Sequence, residues 1–285
     1  MTVFGVAPPG TELAAHRTVY GRLGYPRFFY GPQKPLGWRT FPLSQRAPGD
    51  VPVISVKTWD EAAFRALVAG ASAPEWWFTY HHEPEDEITA GSLTVDALTT
   101  VYRRAREILD AAPSSGGNLL LVCNWYQLWV RGFDAGRFDP ILELVDAVGV
   151  DSYSLAADAA VNIYTPPGDL FGPAVDIAER AGIPWAVPEF AVKMAADGDG
   201  RRHARVVARH AQWLEHHDAA WVSWWCNTAG NYVPHLCSDP LYADSFDVVV
   251  GLSALEMALR HFGHDAAFGK GPGAAGEALL EMYPN

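Results

Sequence analysis

Glu75-Trp76-Trp77-Phe78-Thr79-Tyr80-His81-His82-Glu83-Pro84 sets the reading of the whole chain. Its first half is apolar, aromatic and β-branched, the composition of a buried strand. It then breaks into two imidazoles, a carboxylate and a proline. Pro84 has no N–H for a sheet ladder, so a strand over Glu75–His82 is expected to stop there and leave Glu83 at its rim. On an extended strand His81 and Glu83 share one face and His82 takes the other. Glu85 and Asp86, beyond the proline, read as solvated loop.

The segments on either side repeat the pattern. Apolar strands are expected at Val3–Ala7, Arg27–Tyr30 and Val51–Lys57 before it, and at Asn118–Trp125, Val148–Tyr153, Pro184–Phe190 and Ala220–Cys226 after it. Helical spacing separates them, over Thr11–Leu23, Asp60–Ala69, Val95–Ala111, Pro140–Ala147, Phe171–Ala181, Arg201–His217 and Leu252–Phe262. In the clearest of these, Val95, Leu98, Val101, Tyr102, Ala105, Ile108 and Leu109 form one face. The strands are apolar throughout instead of alternating, as in a parallel sheet buried on both faces. Eight such units in 285 residues predict an α/β fold, a single (β/α)8 TIM barrel over residues 1–285, for which about 250 residues is typical. A Gly/Ala-rich tail from about residue 264 is expected to pack weakly.

Composition excludes several classes. Hydrophobic content of 49% with 19% charged residues is that of a well-buried globular chain. A net charge of −12 argues against nucleic acid or an anionic membrane surface as partner. No run of 18 apolar residues is present. The opening Met1-Thr2-Val3-Phe4-Gly5-Val6 is no signal peptide, so the default location is cytoplasmic, with export by another route or delivery by a phage as alternatives. A monomer without cofactor or bound metal is expected. The three cysteines have neither a disulfide framework nor metal-ligand spacing. Cys123 reads as a core thiol, and pairing of Cys226 with Cys237 stays open.

Residues at strand ends carry the chemistry of such a barrel. Those expected there are Glu83, Asn124, Asp151, Tyr153, Glu189 and Asn227, with Trp125, Trp224 and Trp225 among them. Only two glutamates end strands, the fourth and the seventh, on roughly opposite sides of one barrel mouth. Paired carboxylates flanking a bond are what glycoside hydrolysis requires: one protonates the leaving oxygen, the other attacks the anomeric carbon or activates water. Eleven tryptophans fit stacking on sugar rings as well as core packing. Trp38, Trp59, Trp125, Trp129 and Trp225 are placed for stacking, while Trp76, Trp185, Trp213 and Trp221 are placed for packing. Trp76, Trp77, Trp125 and Trp225 are the expected apolar wall that would raise an acid's pKa.

Glutamates ending strands four and seven, with the aromatic strand Trp221-Val222-Ser223-Trp224-Trp225, resemble the clan of retaining (β/α)8 glycoside hydrolases. His82-Glu83 resembles the His-Glu pair of glycoside hydrolase family 26, the β-mannanases and their relatives. Pro84 behind the glutamate is similar to the Asn-Glu-Pro signature elsewhere in the clan, with His82 in the asparagine's place. The resemblance implies Glu83 as acid/base, Glu189 as nucleophile, Tyr153 as the tyrosine bonded to the nucleophile, and Trp224 or Trp225 lining the sugar site. His81, His82, Asn124, Asp151, Asn227, Trp38, Trp59 and Trp125 complete the expected glycan-binding set. Retention implies carboxyl groups about 5–5.5 Å apart. Two alternatives remain: a carbohydrate-binding barrel without catalysis, and a metal-dependent hydrolase using His81, His82 and Glu85.

Overall fold

In a computed structural model the described residues are 3–7, 13, 24–31, 35–154, 164–192 and 200–225. Among these residues there are eight strands: β1 (Val3–Ala7), β2 (Arg27–Tyr30), β3 (Val53–Val56), β4 (Trp76–Tyr80), β5 (Gly117–Asn124), β6 (Ala147–Ser154), β7 (Trp185–Val192) and β8 (Trp221–Trp225). They pair in the order β1-β8-β7-β6-β5-β4-β3-β2, every pair parallel. The first of the described strands thus pairs with the last of them, and β1 also lies against β2, so the sheet curls into a (β/α)8 barrel.

Helices fill the connections: α1 (Glu61–Ala69), α2 (Glu85–Ala90), α3 (Val95–Asp110), α4 (Asp139–Leu142), α5 (Pro167–Ala181) and α6 (Gly200–His216). Asp60 and Thr94 start α1 and α3 by accepting from the N–H groups of Ala63 and Ala97, at 3.0 and 3.1 Å. Gly182 ends α5 with φ 68°, a left-handed conformation that glycine adopts at little cost. α3 buries Leu98, Tyr102, Ala105, Ile108 and Leu109 against the sheet, the face expected from its spacing.

Two apolar clusters follow from this topology. The larger lies between strands and helices; the smaller plugs the barrel with Val53, Trp77, Leu120, Val122, Ala147, Ala186 and Trp221. Tyr25 stacks on Trp221 at 4.7 Å, and Trp77 lies 4.8 Å from the same ring. Trp76 belongs to the larger cluster on the helix side, not to a wall around the strand ends. No helix among the described residues is long and apolar enough to cross a membrane. The expected helices at 11–23 and 252–262, the tail, Cys226, Asn227 and Cys237 lie outside the described residues, apart from Leu13.

Candidate active site

β4 and β5 part before they reach the barrel mouth. Their pairing stops at Phe78 with Leu119, although β5 continues to Asn124. Other groups take up the backbone polar atoms left open, as buried N–H and C=O groups require. The Tyr102 hydroxyl lies between the carbonyls of Tyr80 and Leu120, at 3.1 and 2.9 Å. Glu83 N–H donates to Val122 O at 2.8 Å. Glu85 Oε1 accepts from Asn124 N–H at 2.9 Å. The loop over the gap is tightly folded, with His81 and Glu83 at φ 56° and 54°, a region that residues other than glycine, asparagine, aspartate and histidine seldom adopt.

The fourth strand is therefore shorter than expected: Trp76–Tyr80 in place of Glu75–His82. Glu83 stands on a bend hooked to β5, and His81 and His82 do not alternate across a strand as expected, because that stretch is not extended. Pro84 caps α2, and Glu85, expected as solvated loop, is 0% exposed. Asn124 links these pieces. Its Nδ2 donates to Glu83 Oε1 at 3.0 Å, and its Oδ1 accepts from Tyr126 N–H at 2.8 Å. Gln127, in the π-helical turn Tyr126–Val130, donates to Asp86 at 2.5 Å and ties this turn to the Glu83 loop.

Glu189 reaches the interior by a different route. With Ala186 in the inner plug, strict alternation would turn Glu189 toward the helices. An irregularity at Val187-Pro188 adds one residue: Gly149 faces Ala186 but Asp151 faces Glu189, and on the other side Val187 faces Val222 while Phe190 faces Trp224. Proline, lacking an N–H, suits such a bulge. Gly149 gives it room, since a Cβ there would stand 2.6 Å from Pro188 Cγ. The bulge turns Glu189 inward, where Tyr153 donates a hydrogen bond to its Oε2 and Arg27 Nη1 lies 2.8 Å from Oε1.

Arg27 is the residue that sequence reasoning misses. It is fully buried at the start of β2, with Nε donating to Ser55 Oγ at 2.9 Å and Nη1 to both Asp151 oxygens at 2.7 and 2.9 Å. The available signal is an arginine two residues from Phe29 within a short aromatic strand, on the inward parity. Asp151, expected to contact a glycan, is sealed beneath the mouth with Arg27 and has no exposure to offer. Its role is to hold the guanidinium.

The electrostatics separate the two glutamates. Burial, then the charge of Glu189, pushes the Glu83 pKa up to about 7, against Arg27 and Lys57. Burial also raises Glu189, with Arg27 and the Tyr153 hydroxyl pulling it back. Burial pulls the Arg27 pKa down, but Asp151 and Glu189 outweigh it, so it stays a cation. Burial and the Glu189 charge push the Tyr153 phenol well up, which keeps it a donor. Burial and Arg27 push His82 well down and hold it neutral. His82 stands edge-on to Phe29 at 5.5 Å, and Phe29 and Tyr153 both meet the Trp225 ring, at 5.7 and 6.5 Å. His81 faces Glu87 instead, 4.0 Å away, beside the Lys57–Glu87 pair at 3.1 Å.

Glu83, Glu189, His82, Asn124, Tyr153 and Trp225 thus come together. Trp38 does not: it is 9% exposed, donates to Leu67 O at 2.7 Å and packs on Trp76. Trp59 packs on Phe64, Phe78 and Tyr80 and lines a cavity of 390 Å³ whose lining includes neither glutamate. Trp125 is buried in the outer cluster, and Trp129, in the turn beyond it, is 53% exposed. β8 includes Trp224, whose side chain lies outside the described set, as does Asn227. No cluster of three or more His, Cys, Asp or Glu among the described residues is arranged to hold a metal ion, so His81, His82 and Glu85 do not form a donor set.

No protein-family model and no curated protein matches the sequence. Solved structures share the fold. A modular endo-β-1,4-mannanase of glycoside hydrolase family 26 from Cellulomonas fimi superposes with a TM-score of 0.59 at 15% identity, over 87% of this chain and 70% of that one. A family 26 β-mannanase from Bacteroides ovatus gives 0.55 at 15% identity, over 87% and 85%. A family 128 endo-β-1,3-glucanase from Sorangium cellulosum gives 0.52 at 16% identity, over 82% and 91%. These enzymes and the present chain share the (β/α)8 barrel fold.

Proposed function

We propose that the protein is a retaining glycoside hydrolase acting on a β-linked glycan, with Glu83 as acid/base and Glu189 as nucleophile. The observation that carries this reading is the contrast between two carboxyls at one barrel mouth. Glu83 is shifted to about 7 and so holds a proton near neutrality, while Glu189 has a buried cation and a phenol donor on its two oxygens. The superposed mannanases and glucanase support the substrate class.

In this reaction protonated Glu83 gives its proton to the leaving glycosidic oxygen as the Glu189 carboxylate attacks the anomeric carbon. Arg27 and Tyr153 orient Glu189 and limit its basicity. Once the leaving sugar departs, Glu83 is a carboxylate and takes a proton from the water that releases the glycosyl group from Glu189. His82, kept neutral, and Trp225 border the position a sugar ring would occupy.

The test is hydrolysis of a panel of mannans, mixed-linkage glucans and bacterial envelope glycans, with the first-formed anomer read by proton NMR. Retained configuration, and complete loss of turnover in Glu189→Ala with the fold intact, are expected. Inverted product or surviving activity in Glu189→Ala would remove the retaining mechanism. Tight glycan binding without turnover by the wild type would identify a carbohydrate-binding barrel instead.

A further inference from the structure

The parting of β4 and β5 leaves the Asn124 N–H, at the end of a buried strand, without a sheet partner on the β4 side. A side chain fills the place. Glu85 lies in the first turn of α2, is 0% exposed, and presents Oε1 to that N–H at 2.9 Å. The same asparagine, through Nδ2, makes the only side-chain hydrogen bond to Glu83 found among the described residues. Glu83 N–H is meanwhile fixed to Val122 O, two residues earlier on β5. Backbone and carboxyl of Glu83 are therefore both referenced to the end of β5, and Glu85 anchors that end.

We propose that Glu85 is a positioning residue: its carboxyl substitutes for the missing strand partner of Asn124 and so aims the Asn124 amide at Glu83. This rests on the assignment of Glu83 as the acid/base. Glu83 and the Cys123 thiol are the titratable groups that face Glu85. Burial pushes the Glu85 pKa up to about 8, against hydrogen bonds from its own N–H and that of Asn124. Near neutrality Glu85 is therefore uncharged. It can hold Asn124 without adding a second negative charge beside Glu83, which would drive that group's pKa higher still.

The test follows glutamate carboxyl carbons by NMR titration of the ligand-free protein, alongside turnover on a cleaved glycan. In the wild type, Glu83 and Glu85 should titrate near 7 and 8. Glu85→Ala frees Asn124, removes a donor from Glu83, and should raise the Glu83 titration. It should also lower kcat about 10²-fold, the cost of roughly 1 Å of misplacement, with little change in KM. Asn124→Ala should reproduce the shift and add nothing to Glu85→Ala. Glu85→Gln still offers an oxygen to the Asn124 N–H and should recover most of the lost kcat. Glu85→Asp, which withdraws the oxygen by one methylene, should shift Glu83 in the same direction and serves if the alanine variant does not fold.

A Glu83 titration unmoved in all Glu85 variants, with only thermal stability changed, overturns the proposal. So does a Glu85→Gln protein as impaired as Glu85→Ala, which would mean that the carboxyl, not the hydrogen bond, matters. The titration needs no substrate. If it shifts as expected while no glycan is cleaved, the Glu85–Asn124–Glu83 linkage stands and the hydrolase reading falls.

Discussion

Glu189 and Glu83 reach the same mouth by opposite structural means. Glu189 lies inside a continuous strand, turned inward by one extra residue, and is gripped by Arg27 and Tyr153. Glu83 lies off its strand, on a left-handed bend, with one amide donor and, among the described residues, no ion pair. The difference teaches that the surroundings can divide labour between two identical side chains. A rigid, cation-paired carboxyl favours the ionised state that attack requires. A carboxyl buried without a paired charge favours the proton that a general acid must carry.

The sharpest way to break the contrast is to take the proton from the Glu83 side. Glu83→Gln should lower turnover of a glycan with a poor leaving group by about 10²–10⁴-fold, the usual contribution of a general acid. In the wild type, activity should fall as pH rises through about 7, where Glu83 ionises; the variant should lack that limb. The same shift has a stability sign. Its folded pKa lies above the unfolded value of 4.5, so the contribution is full below that value and is lost as pH rises toward about 7. Urea midpoints measured from pH 4.5 to 7 should fall less steeply for Glu83→Gln. An unchanged slope would mean that Glu83 is not the group titrating there.

Removing the cation attacks the other side. Arg27→Met leaves Asp151 and Glu189 buried with no positive partner, and breaking a buried ion pair from one side costs about 3–5 kcal/mol. Urea denaturation should register that loss, and it should be smaller at low pH, where both carboxyls can take up protons. Stability equal to the wild type would show that Arg27 is not what makes the Glu189 environment distinct.

How much of this contrast is legible in the sequence follows from how local each cause is. The eight strands are legible because buried parallel strands are apolar runs, and β1 and β2 agree with expectation at both ends. Glu83 stands out as a carboxylate just beyond such a run, and Glu189 as one near the end of another, although β7 continues past it to Val192. What surrounds them does not stand out. The turn of Glu189 depends on Pro188 fitting over Gly149, a contact between two strands. Arg27 only opens a short aromatic strand in the sequence, and it is the barrel that brings Asp151 to it. Glu85 after a proline reads as solvated loop, and its burial depends on an N–H that β4 abandons. Trp38 sits in a long loop that folds back onto Trp76, which no local pattern announces.

The smallest effect tests the finer half of the grip on Glu189. Tyr153→Phe removes one hydroxyl and leaves the ring, its contact with Trp225 and the Arg27 pair in place. A hydrogen bond to a charged group contributes about 1.5–3 kcal/mol, so kcat/KM should fall about 10- to 100-fold. The Tyr153 hydroxyl pulls the Glu189 pKa down, so its loss should raise it and move the acid limb of the pH profile upward. Among the described residues the side-chain donor to Glu83 is Asn124 and not this hydroxyl, and the alkaline limb should therefore stay in place. An acid limb that does not move while the alkaline one does would reverse the assignment of the two glutamates. Movement of the acid limb alone would mean that Arg27 and Tyr153 act on Glu189 as separable holds, the cation supplying most of the stability and the phenol part of the rate.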